Sequence, residues 1–147
     1  MQDDPSDQVD RRKLYWVGPA TVAAAVVSVK LLQIAAVAIV RPSEGSLLRT
    51  EEPSVFTAVL VAIAVVVFAV VAGEATRPVR TYHRIAFVAL VLSFLPDVAL
   101  GFGLIRGEGW PLAIVFILMH VVAWAITVWM LTHLTSSRQS VQFGQDD

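Results

Sequence analysis

The chain contains no cysteine, which excludes disulfides, thiolate metal sites, iron–sulfur clusters and cysteine nucleophiles. Charge is also scarce: Asp, Glu, Lys and Arg make up 16% of the residues, against about 25% in an average soluble domain. Eleven Lys and Arg stand against twelve Asp and Glu, a net charge of −1, so there is no basic footprint for nucleic acid. Chemical signatures are missing as well. There is no Gly-rich phosphate loop, no His-Glu-x-x-His zinc helix and no Gly-x-Ser-x-Gly elbow. No cofactor and no metal is implied.

What the chain has instead is apolar surface. Of its 147 residues, 56% are hydrophobic, and the mean hydropathy is +0.70. A single core of this size takes up only part of those side chains, and lipid is the natural solvent for the rest. Four apolar runs reach the ~20 residues needed to cross a hydrocarbon layer of ~30 Å, at about 17–40, 55–72, 85–105 and 112–134. They are continuous and twice the length of a barrel strand, so they read as helices. The fold expected is an all-α integral membrane four-helix bundle. Residues 1–13 and 136–147 are read as flexible cytoplasmic ends flanking a transmembrane domain at 14–135. The tight turn at Arg106–Trp110, before Pro111, makes spans three and four a hairpin.

Basic residues set the orientation. Arg11, Arg12, Lys13, Arg77, Arg80, Arg84 and Arg138 fall on one side, and Arg41, Arg49 and Arg106 on the other. Both termini are therefore expected on the cytoplasmic side of the cell membrane. Tyr15, Trp16 and Tyr82 would form the inner aromatic belt and Trp110 the outer one. A cleaved signal peptide ending near Ala36-Val37-Ala38 is the rival for span one. The apolar run is too long for it, and Lys30 interrupts the run.

Ionisable groups inside a span need a partner or water, which makes them functional candidates. Lys30, Asp97 and His120 qualify, and all three fall slightly outward of their span midpoints. Asp97 precedes Ile105 by eight residues and His120 follows Pro111 by nine, roughly 12 and 13.5 Å of rise, so the hairpin sets them level. Ser93, Asp97 and Gly101 share one face, as do His120, Trp124 and Thr127, and Ala23, Val26, Lys30, Gln33 and Val37. The candidate site is therefore Lys30, Gln33, Ser93, Asp97, His120, Trp124 and Thr127, beside a kink at Pro96. The simplest role is a structural knot in which Lys30 pairs with Asp97 and His120 donates a hydrogen bond. The sharper role is a proton or small-ligand site, because His120 beside Asp97 would titrate near neutrality. His83 and His133 fall together at the inner boundary, the minimum for bis-histidine ligation, but interfacial histidines are ordinarily solvated and no haem or metal site is assigned to them.

Leu92-Ser93-Phe94-Leu95-Pro96-Asp97 and, after a short turn, Leu118-Met119-His120-Val121-Val122-Ala123 resemble a family of four-helix bacterial membrane proteins, domain of unknown function family 6069. The four-span plan, the basic start and the chain length are similar too. The resemblance implies a compact integral membrane protein and draws attention to Ser93, Pro96, Asp97 and His120; it supplies no reaction, and Lys30 lies outside it. The function expected is that of an accessory subunit or a small transporter-like protein, partnered by the bilayer and by a second copy or another membrane protein. The alternative is a membrane enzyme using His120 and Asp97 as acid and base on a lipid-soluble substrate.

Overall fold

The computed structural model describes residues 9–10, 12–104 and 109–136. It consists of four helices, α1 (Leu14–Val40), α2 (Glu52–Glu74), α3 (Pro78–Gly101) and α4 (Trp110–Leu134), with one 3-10 turn at Leu47–Arg49. All four are long and apolar enough to cross a membrane. The turn expected at Arg106–Trp110 lies largely outside the described residues.

Local chemistry sets the helix ends. At the end of α1, Arg41 adopts a left-handed φ of 49° and gives its N–H to the Val37 carbonyl at 3.1 Å; Pro42 cannot continue the helix. Each of the other three helices has a proline in its first turn, where a missing N–H leaves no bond unmade. Helix α3 starts at Pro78, ahead of the expected 85, because the helix runs past its apolar part through Arg80, His83 and Arg84. It stops at Gly101 instead of about 105. There Gly103, at a φ of 73°, donates to the Leu100 carbonyl at 2.9 Å while Leu104 donates to Ala99 at 3.0 Å. This double bond pattern around a left-handed glycine satisfies the last carbonyls of the helix.

The helices form a ring in the order α1, α2, α3, α4, each packing on its two neighbours; across the ring α2 touches α4, while α1 and α3 barely meet. Buried apolar side chains fall into two layers. The layer nearer the α1–α2 loop holds Val29, Ala36, Leu48, Leu100, Leu112, Ala113 and Met119. The layer nearer the chain ends holds Val17, Phe68, Tyr82, Val128 and Leu131. Most of the remaining apolar surface faces outward, as at Ile39 (81% exposed) and Leu104 (78%), which is the pattern of a bundle solvated by lipid.

One expectation needs correction. Tyr82 is not a belt residue: it is 1% exposed and packs edge-on against Phe68, ring centroids 4.8 Å apart. Where the segment before α1 is described, it lies against the residues that follow α4. Val9 pairs with Ser136 in an antiparallel bridge, and the Asp10 N–H donates to the Thr135 carbonyl at 2.8 Å.

The loop after α1 folds back into the bundle. A Cβ on Gly18 would come within 2.9 Å of Val65, and Lys30 reaches Glu51, so α1 and α2 run antiparallel with the first turn of α2 level with Lys30. The ten residues of α1 beyond Lys30 rise about 15 Å further, with no α2 beside them. The returning loop occupies that space, and its Leu48 is fully buried in the core layer. Gln33 holds it there, donating from Nε2 to the carbonyls of Leu48 (2.7 Å) and Thr50 (2.8 Å).

Candidate functional site

Asp97 and His120 come together on neighbouring helices. His120 Nδ1 lies 3.0 Å from Asp97 Oδ2 and 2.9 Å from the Phe116 carbonyl one turn back on its own helix. A ring nitrogen has one hydrogen to give, and its direction favours Phe116. Among the described residues no aligned donor reaches Asp97 Oδ2, so the two groups are in contact distance without a well-formed bond. Asp97 is 6% exposed, and the His120 side chain is 30% exposed.

The hydroxyls of Ser93 and Thr127 bond back within their own helices. Ser93 Oγ donates to the Leu90 carbonyl and Thr127 Oγ1 to the Ala123 carbonyl, both at 2.7 Å. Hydroxyls bonded back in this way have no hydrogen left to give a ligand in that rotamer and can only accept from one. Pro96 has no N–H for the carbonyl of Leu92, so helix α3 is missing one bond immediately before Asp97. Trp124 packs against the core layer nearer the chain ends, and its Nε1 is buried without a hydrogen-bond partner among the described residues.

Lys30 does not join Asp97. Its Nζ lies 2.7 Å from both carboxylate oxygens of Glu51. Height is not what separates lysine and aspartate. Lys13 Nζ donates to the Ser136 carbonyl, tying the start of α1 to the end of α4. From that tie, Lys30 stands about 25 Å up α1 and His120 about 24 Å up α4. The groups share a level and differ in direction. The buried stripe of α1 runs through Thr21, Ala25, Val29, Gln33 and Ala36, and Lys30 sits about 100° around from Val29. Helices α1 and α3 also occupy the open diagonal of the ring. Gln33 lies on the buried stripe, where the returning loop takes both hydrogens of its amide, so it acts as a strut. Glu51 escaped the sequence reading because it falls in a Pro- and Gly-containing loop; its signal was one of three glutamates just ahead of a span.

A second feature lies toward the end of the bundle that holds the chain ends, an open groove of about 480 Å³ bounded by His83, Trp124, Trp129, Thr132 and His133. Both histidines bond back to their own helices, His83 Nδ1 to Val79 at 2.9 Å and His133 Nδ1 to Trp129 at 3.1 Å. The His133 ring stacks on Trp129, centroids 5.7 Å apart. Among the described residues no three His, Asp or Glu gather as metal ligands.

No family model, no curated protein and no solved structure matches this chain.

Proposed function

We propose that the chain is a multi-pass protein of the cytoplasmic membrane, termini inside, in which the Asp97–His120 pair takes up and releases a proton. The observation that carries this reading is the buried carboxylate 3.0 Å from an imidazole nitrogen, with the level lysine already held by Glu51. A carboxylate in low dielectric has to be neutralised by a cation or by a proton. With Lys30 committed elsewhere, the neutralising proton resides on Asp97 or on His120. Gain or loss of one proton changes the charge of the bundle interior, which is the elementary step of a proton relay or a proton-coupled carrier. A role as an accessory subunit or a small transporter-like protein fits this chemistry, and the likeness to domain of unknown function family 6069 agrees with the four-span plan.

The test is pH-difference infrared spectroscopy on the protein in lipid bilayers. A carboxyl carbonyl band should titrate in the native protein and vanish in Asp97→Asn, and its midpoint should move in His120→Phe. Identical difference spectra for the native protein and Asp97→Asn would overturn the proposal. The partial exposure of His120 favours one further reading over a sealed knot: an enzyme using the pair on a lipid-soluble substrate, marked by turnover that His120→Phe abolishes.

A further inference from the structure

The Lys30–Glu51 pair is in the wrong place for a protein that meets lipid alone. Lys30 is 37% exposed and Glu51 76% exposed at their side chains, so both charges look out of the bundle. The outward faces of α1 and α4 stay apolar at that height, whereas the returning loop exposes Arg41, Glu44 and Arg49 beyond it. Beyond Lys30 on α1, Ile34 (59%) and Ile39 (81%) stay exposed, and Leu118 on α4 (47%) lies near the same level. The apolar belt thus continues for about 15 Å past the pair. Charges facing hydrocarbon are expensive even when paired, because both lose water. The loop from Arg41 to Glu51 lies outward of the first turn of α2, and most of it is irregular. At membrane depth, irregular backbone is tolerated only where protein or water covers it. Helix α2, which borders this edge, is also the least covered of the four.

We infer that the edge formed by α1 and the start of α2 docks a second copy of this chain about a two-fold axis along the membrane normal. That rotation keeps every group at its own height. The edge presents Lys30 and Glu51 side by side at one height, so the rotated copy brings Lys30 against the partner's Glu51 and the reverse. The four charges then close into an alternating ring, shielded from acyl chains by the flanking apolar side chains. A partner of any other kind would need an opposite-handed charge pair at this same depth; a second copy carries one by symmetry. The inference is independent of the proton-site reading and survives its failure.

The native chain lacks cysteine, so single-cysteine variants report one position each. In lipid vesicles, Val55→Cys, one turn into α2, should form an oxidative crosslink between copies, whereas Leu95→Cys, exposed on α3, should not. The charge test uses single-molecule photobleaching at increasing lipid dilution. Lys30→Glu, which makes the edge wholly acidic, should weaken the dimer at least tenfold, and the swap Lys30→Glu with Glu51→Lys should restore it. The swap keeps the test decisive if the single variant fails to fold. A chain that stays monomeric at all dilutions would overturn the inference. So would a Val55→Cys variant that reacts with a water-soluble thiol reagent and does not crosslink, since a water-filled notch would then cover the pair.

Discussion

The imidazole of His120 stands 3.0 Å from the carboxylate of Asp97, but its own helix, at Phe116, holds the better-aligned bond. The contact joins α3 to α4 in a ring where Lys30 and Glu51 are paired with each other. Two pairs share one level and work apart.

This separation predicts a pattern of energetic coupling. Asp97→Leu leaves His120 facing an apolar group and should destabilise the bundle by about 1–3 kcal/mol. Adding His120→Phe should cost less than the sum, with a coupling of about 0.5–3 kcal/mol. Adding Lys30→Met to Asp97→Leu should give effects that sum to within about 0.5 kcal/mol. Unfolding titrations in mixed micelles measure all three. Rescue of Asp97→Leu by Lys30→Met would mean that the lysine and aspartate are paired after all.

How much of this was legible beforehand follows from which quantities the chain encodes locally. Rise per residue is constant, so the common level of Lys30 and His120 could be counted from the sequence. Direction around the axis could not. Helix α1 is apolar on every side, and a shared-face argument that placed Lys30 with Gln33 had no polar face to calibrate it. Pairing also depends on which diagonal of the ring closes, a property of whole-bundle packing. The contact of α2 with α4 keeps α1 from α3, and a loop that folds inward brings Glu51 to Lys30. The glutamate was visible as a residue, but its depth was not, since a polar loop is ordinarily assigned to water.

Gly101 and Trp110 make a close approach that admits no side chain. A Cβ on Gly101 would fall 2.9 Å from the indole ring, which also stands edge-on to Phe102 with centroids 5.3 Å apart. Gly101→Ala should therefore overpack the outer end of the α3–α4 hairpin, lowering stability by about 1–3 kcal/mol. Trp110→Leu should absorb the added methyl, so the double variant should unfold later than Gly101→Ala alone. Thermal unfolding followed by Trp fluorescence or circular dichroism reads the order.

The returning loop hangs on Gln33. Replacing it with Leu removes two donors from the carbonyls of Leu48 and Thr50, the first of them in a fully buried residue. Each buried carbonyl left without a donor costs about 1–3 kcal/mol, so the loop should loosen before the helices do. Limited proteolysis checks this: cleavage between Pro42 and Glu51 should accelerate in Gln33→Leu and stay at the native rate in Ser93→Ala, whose hydroxyl bonds only within α3. Equal cleavage in both variants would show that Gln33 does not hold the loop.

The orientation proposed for the membrane has its own consequence. Gly45 sits in the α1–α2 loop, where a Cβ would meet nothing within 4 Å, and Thr76 is exposed between α2 and α3. Ser46, next to Gly45, is 1% exposed and would report poorly. Cysteines introduced at 45 and 76 stand at opposite ends of α2, separated by the length of a membrane-spanning helix. Arg77, Arg80 and Arg84 assign the Thr76 end to the cytoplasm. A membrane-impermeant maleimide should then label Gly45→Cys in intact cells and Thr76→Cys only after permeabilisation. Labelling in the reverse order would invert the orientation and place the Lys30–Glu51 level in the inner half of the bilayer, while labelling of both in intact cells would mean that α2 does not cross at all.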